Sequence, residues 1–340
     1  PFEWDLKRLA ASFEIAARSL GFDESLRRTI VTRSARSYRT AIREFAAMRT
    51  LDVWYARMDV ETIQARWGGQ ATRAMTDTLQ HRVVKAESKD HLAALAKLTT
   101  EQDGKLKFVS DPPLMVPAEE AFTDVYSSHN LNNLFGALAD YRGTLSGDRQ
   151  RLLDKYEFTD LARKVVGVGS VGTRCWVGLF VGRDNGDPLV LQVKEAERAV
   201  GEPFLSKSRY ANQGQRVVEG QRLMQGASDI FLGWDQFEGE DGIQRDFYLR
   251  QLWDWKLSAR IDRMPSDIMP IYAELCGWVL ARAHARSGDA IAIGAYLGNG
   301  DRYDQSMWRF AVTYADQNER DFARLQQAIA SGQVVATEGM

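Results

Sequence analysis

The chain has 340 residues, a formal net charge of −2, and hydrophobic and aromatic contents of 44% and 10%. At roughly 100–200 residues per domain that length makes two or three units, with enough apolar side chains for full cores. The near-zero charge argues against wholesale electrostatic binding to nucleic acid, and the lack of any run of about 18 apolar residues argues against a helical membrane span.

No signal-peptide pattern is read at the start. The two cysteines, Cys175 and Cys276, lack metal-ligand spacing and read as buried free thiols of a reducing cytosol, so a cytoplasmic location is expected. The chain opens at Pro1, with Trp4 and Leu6 already patterned for packing. The expectation is that the sequence starts inside a domain.

Leu6, Leu9, Phe13, Ala17 and Leu20 recur three or four apart and predict a first helix, ended by Gly21. A second helix is expected from Asp23 to about Tyr55, with Arg27, Arg28, Arg33, Arg36, Arg39 and Arg43 on a solvated outer face. A third is expected from Asp59 to Gly68-Gly69 and a fourth from Thr72 to Leu98. His81 and His91 fall in the fourth and read as surface residues. Lys105–Val109 reads as a short strand ended by Pro112-Pro113. Ala118–Asp154 is mostly helical, with a helix junction at the polar run Ser128–Asn133.

From Tyr156 the texture changes to strands as far as Val193. A loop and a helix follow to Met224, then strands at Phe231–Trp234 and Asp246–Trp253, and helices at Pro265–Arg286 and Met307–Ala330. The order is helical block (1–154), sheet block (155–255), helical block (256–340).

The most specific signal is Gly167, Gly169 and Gly172 in a GxGxxG pattern. In a dinucleotide-binding unit the third glycine opens a helix. Here Thr173 to Val181 is β-branched and aromatic, which predicts a strand. A turn (Asp184 to Pro188) and a second strand lead to Lys194, 22 positions after Gly172. Strand, glycine loop, strand, turn, strand, lysine is the kinase-type arrangement. Its glycines let backbone N–H groups close over phosphate oxygens. The expected nucleotide contacts are Gly167, Gly169, Ser170, Val171 and Gly172 over the phosphates and Lys194 against them. Glu219, on the following helix, would aim Lys194, with Glu202 as its competitor. Arg250, Gln251 and Leu252 would form a hinge whose backbone reads the base.

The remaining parts of a kinase-type site fail a direct check. A catalytic-loop Asp needs an Asn five residues on. Asp289, in HARSGDA, is followed at that spacing by Gly294, and Asp254, Asp262, Asp301 and Asp316 by Ala259, Asp267, Ser306 and Asp321. No DFG-like triplet occurs.

The runs PFEWDLKRLAAS, ARKVVGVGSVGTRCWVGL, LQVKEA, GQRVVEGQRLMQ, FYLRQLWDWK and LARAHARSGD resemble the bacterial family known as domain of unknown function 2252, over nearly the whole chain. That family is similar to protein kinases and aminoglycoside phosphotransferases in permuted order. The resemblance implies an α+β, bilobal kinase-like fold with a small antiparallel-sheet lobe and a large helical lobe. It places a GDxHxxNFG catalytic loop and an NDFDE metal motif ahead of the segment that begins this chain. It also gives Asp5 a supporting role, since an Asp-Leu pair in such enzymes helps hold the catalytic loop.

Two functions are therefore expected. One is a fragment of an ATP- and Mg2+-dependent, kinase-like phosphotransferase, inactive alone, binding Mg-ATP between the sheet and the final helical block. The alternative is a non-catalytic, nucleotide-dependent or helical interaction module, favoured by the helices outside the sheet lobe and the arginines near Arg36 and Arg43. The phosphate acceptor is not readable.

Overall fold

The computed structural model describes residues 1–57, 62, 95, 97–121, 128–165, 167, 172–238, 242–252 and 259–336, with 128–133 described by backbone alone. The helices expected at Asp59–Gly69 and Thr72–Leu98, with His81 and His91, lie outside the described residues apart from isolated positions. The described chain is a mixed α+β protein divided into two compact units.

The helical unit contains α1 (Phe2–Ser19), α2 (Glu24–Ala47) and α3 (Thr50–Tyr55) from the start of the chain, and the short segment Leu223–Gly226. The helices of the last block, given below as α7 to α9, complete it. Leu6, Ala10, Phe13 and Ala17 form the buried stripe of α1. Asp23 caps α2, accepting from the Leu26 N–H at 2.8 Å. The long helix expected from Asp23 to Tyr55 breaks at Met48, whose backbone is extended.

In the last block, α7 (Met269–Ser287) carries Pro270 in its first turn and stops at Gly288, as its sequence requires. It packs along α2 so closely that a Cβ on Gly277 would lie 2.3 Å from the Ser34 carbonyl oxygen. A short helix missed in the sequence, α8 (Ala290–Leu297), is capped by Asp289 through the Ile291 and Ala292 N–H groups, both at 3.0 Å. Asp289, tested above as a catalytic aspartate, is thereby accounted for as a helix cap. The last helix, α9 (Arg302–Ala330), begins five residues before the expected Met307.

The arginine face of α2 is a correction to the sequence reading. Arg39 is buried and forms a two-point pair with the buried Asp304 (3.0 and 2.9 Å), Arg33 pairs with Glu274 (3.3 Å) and Arg27 with the buried Glu14 (3.4 Å). Helical periodicity counts an arginine as solvent-facing. Here carboxylates on α1, α7 and α9 neutralise it, so much of this face ties helices together.

The sheet unit holds β1 (Thr99–Gln102) paired with β2 (Lys105–Phe108), and a six-stranded antiparallel sheet in the order β3-β4-β5-β6-β8-β7. Its strands are β3 (Met115–Pro117), β4 (Glu157–Lys164), β5 (Cys175–Val181), β6 (Pro188–Glu195), β7 (Gly233–Glu238) and β8 (Gln244–Gln251). Helices α4 (Ser128–Gly143) and α5 (Gly147–Leu153) belong to this unit, as does α6 (Gln213–Met224) up to Arg222. The first block therefore does not stay whole: α4 and α5 pack with the sheet, burying Tyr141, Leu145 and Leu153 against Phe180, Leu189, Leu191 and Leu249. The opposite face buries Phe108, Met115, Ala162, Val177, Leu179 and Val190. The period of two along each strand sorts side chains between these faces. Among the described residues, no helix is long and apolar enough to cross a membrane.

Candidate nucleotide-binding site

The residue after Gly172-Thr173-Arg174 opens a strand, not a helix. That removes the dinucleotide-binding reading of the glycine pattern. Gly167 and Gly172 have φ of +63° and +85°. Nothing lies within 4 Å of a Cβ built on either, so backbone conformation, not crowding, requires glycine at both. Gly169, Ser170 and Val171 lie outside the described residues. The far foot of the loop is fixed: Glu195 accepts from the Arg174 N–H at 2.9 Å and pairs with the guanidinium groups of Arg174 (3.2 Å) and Arg245 (3.5 Å). Glu195 has no role in the sequence reading, since it ends the strand that carries Lys194 and does not stand on the following helix.

The β5–β6 hairpin sets the position of Lys194. Asp184 closes the turn, its carbonyl oxygen and carboxylate accepting from Asp187 and Gly186 N–H at 2.8 and 2.9 Å. That register pairs Cys175 with Lys194, and Lys194 in turn pairs with Tyr248 on β8. Lys164 ends β4 one step beyond the Arg163–Trp176 pair, which brings it across from Cys175. Arg250 pairs with Gln192 two residues along, its Nε donating to Gln192 Oε1 at 3.4 Å. Lys164, Lys194 and Arg250 thus share one face of the sheet around the buried Cys175. Burial pushes the Cys175 thiol up, while Lys194, a hydrogen bond with Gln192, Lys164 and Arg250 pull the other way. Burial also raises Tyr248, opposed by Arg250. Lys164 was missed in the sequence, because it comes across from Cys175 only through the β4–β5 register on the far side of the glycine loop.

Glu219 stands on α6, the helix that follows β6, and forms an ion pair with Arg222 one turn on, at 3.0 Å. Glu202 accepts from the Ser208 N–H at 3.1 Å within its own loop. The N-terminus of α6 is seated on the sheet: Gln213 N–H donates to Asp246 at 2.7 Å, and a Cβ on Gly214 would lie 2.0 Å from the Phe247 carbonyl oxygen. In the expected hinge, Gln251 N–H donates to Asp229 Oδ2 (2.5 Å) and Leu252 N–H to the Val190 carbonyl oxygen (2.9 Å). Two of the three backbone donors assigned to reading a base are committed within the protein.

Asp5 belongs to the helical unit. Its Oδ2 lies 3.2 Å from His284 Nε2, and His284 Nδ1 meets the buried Tyr38 hydroxyl at 2.7 Å. The His284 bond holds the Asp5 carboxyl below its usual value, against the opposing effect of burial. No spacing rule connects α1, α2 and the end of α7, so this chain of three was not visible in the sequence. Among the described residues there is no group of three or more His, Cys, Asp or Glu side chains able to hold a metal ion.

The family profile described as "Uncharacterized protein conserved in bacteria (DUF2252)" matches residues 1–328. The chain belongs to the DUF2252 family. No curated protein and no solved structure matched it. Within this DUF2252 chain, the glycine loop, Lys194 and α6 all fall inside the matched span.

Proposed function

We propose that the chain carries the ATP-binding part of a kinase-like phosphotransferase in permuted order. The observation that supports this most directly is the sequence of elements around Lys194. A loop with left-handed glycines at both ends joins β4 to β5, a tight hairpin leads to β6, Lys194 sits near its end, and a helix bearing Glu219 follows. Kinase-type sites use that order to bring backbone N–H groups and one lysine onto a nucleotide's phosphates.

The fit to phosphates is good on the chain's own residues, since Lys164 and Arg250 add positive charge beside Lys194. When bound, the nucleotide would supply the phosphoryl group. The chain's residues would hold its phosphates and neutralise their charge. Mg2+ at a nucleotide is held by one or two carboxylates together with the phosphates, and the described residues contain no group of three or more His, Cys, Asp or Glu side chains that would hold the ion by itself. No step is assigned to the metal here.

Thermal shift with Mg-ATP tests the reading. A rise in Tm for the wild type that Lys194→Ala abolishes is expected. No rise for the wild type, or an equal rise for Lys194→Ala, would sink it.

A second reading, a non-catalytic interaction module, draws support from α9, where Phe322, Leu325 and Ile329 form an exposed apolar run. Of the arginine face of α2, Arg27, Arg33 and Arg39 are paired internally, whereas Arg36 and Arg43, the two named for that reading, are exposed. Measured ATP turnover would remove this reading.

A further inference from the structure

The cations beside Lys194 are more numerous than one phosphate contact requires. Lys164, Cys175, Lys194 and Tyr248 form a single transverse row across β4, β5, β6 and β8, and Gln192 and Arg250 lie in the next row on the same face. Neighbouring strands are about 4.8 Å apart, so the two lysines leave the sheet about 10 Å from each other with Cys175 between them. All three cations are half-buried. All three are near enough to act electrostatically on the one buried thiol.

Among the described residues, neither Lys164 nor Arg250 has a carboxylate within ion-pair distance. The only side-chain contact described for Arg250 is the long bond to the neutral Gln192. Several other partly buried arginines meet carboxylates, Arg39 with Asp304, Arg174 and Arg245 with Glu195, Arg222 with Glu219, whereas the buried Arg282 is bonded to carbonyl oxygens. Lys194 and Arg250 are diagonal neighbours on adjacent strands, and Lys164 lies across Cys175 from Lys194, so the three present positive charge along one stretch of the face. A ligand carrying several negative charges along a chain is complementary to that arrangement.

The opposite holds for a base. The Gln251 and Leu252 N–H groups are bonded to Asp229 and to Val190. Those two N–H groups are therefore not open to a purine edge.

We propose that Lys164, Lys194 and Arg250 form one polyphosphate-binding row, and that this site recognises a triphosphate chain with little discrimination between the bases attached to it. The ligand class is a nucleoside triphosphate or inorganic tripolyphosphate, which share that chain. The inference rests on the nucleotide-site reading above and goes further by naming two additional phosphate contacts and the feature that is read.

Calorimetric titration of the protein at low ionic strength with ATP, GTP and sodium tripolyphosphate separates the possibilities. Dissociation constants within about threefold of one another are expected, because the contacts lie on the shared chain. Lys164→Gln and Arg250→Gln are each expected to weaken all three ligands by about tenfold or more, the effect of losing one charged hydrogen bond. Arg250→Lys, which keeps the charge, is expected to retain most of the affinity. Unchanged far-UV circular dichroism and melting without ligand would show that the variants fold.

ATP binding with GTP or tripolyphosphate more than about tenfold weaker would overturn the inference and leave the nucleotide-site reading standing. So would wild-type affinity in both glutamine variants. Binding of none of the three would overturn both. Comparable binding of ATP and GTP without tripolyphosphate would also overturn the inference, since the nucleoside would then be required.

Discussion

Asp304→Asn removes the charge that balances Arg39 inside the helical unit. Asp304 is wholly buried and Arg39 is 9% exposed. The guanidinium meets the carboxylate at 3.0 and 2.9 Å, reaches the Asn299 carbonyl oxygen at 3.0 Å, and has Arg36 nearby, 3.7 Å from the same carboxylate. Asparagine can accept one of the two bonds, but its amide N–H groups would face a guanidinium, and the buried positive charge stays uncompensated. Breaking a buried pair from one side costs about 3–5 kcal/mol. Arg39 keeps the bond to Asn299, so the lower end, about 3 kcal/mol, is expected. At about 2–4 °C per kcal/mol for a unit of this size, the melting point should fall by about 6–12 °C.

Thermal melting followed by far-UV circular dichroism at pH 7 reads the effect, with urea unfolding as a second measure. Arg39→Met combined with Asp304→Leu should recover most of the loss, because an apolar replacement of a buried pair is often neutral or better. A loss below about 1 kcal/mol in Asp304→Asn, the range of an exposed pair, would refute the reasoning. So would a double variant no better than the single one.

Three further predictions concern other parts of the fold. Burial, reinforced by Asp140 and opposed by the Gln236 N–H bond, pushes the Asp235 carboxyl up from 3.8 to about 7. A raised carboxyl stabilises fully below its unfolded value and loses that contribution as pH rises through the folded one. Asp235→Asn should therefore flatten a decline of about 2–4 kcal/mol between pH 4 and 7, measured by urea unfolding across that range. Gly277→Ala should cost about 1–3 kcal/mol or more, because its Cβ would lie 2.3 Å from the Ser34 carbonyl oxygen and force α2 and α7 apart; a wild-type melting curve would contradict the close approach. Tyr38→Phe leaves the buried His284 Nδ1 without its 2.7 Å partner and should cost about 1–3 kcal/mol by the same measurement.

What the sequence made legible follows from the range of the signals. The strand after Gly172, the hairpin to Lys194, the proline-to-glycine span of α7 and the helix α6 are written in residues a few positions apart, where propensity and periodicity act directly. The partition of the first helical block is not local. Tyr141 and Leu153 choose the sheet because Leu189, Leu191 and Phe180 offer an apolar face, and nothing near Tyr141 says so. The buried role of Arg39 depends on Asp304, 265 positions away. The candidate site divides in the same way. Lys194 stands out by its spacing from the glycines, whereas Lys164 and the Arg250 side chain join it only through strand register. The hinge expected at Arg250–Leu252 overlooked Asp229, whose carboxylate takes the Gln251 N–H.

The central claim is that Lys194 and the glycine loop hold a nucleotide's phosphates. Equilibrium binding of Mg-ATP to the wild type, Lys194→Ala and Gly172→Val tests it most directly. Val at φ +85° is strained and should spoil the loop without touching the sheet core. Saturable binding by the wild type, weakened by about tenfold or more in both variants, is the predicted result. No binding by the wild type, or equal binding by all three proteins, would contradict it.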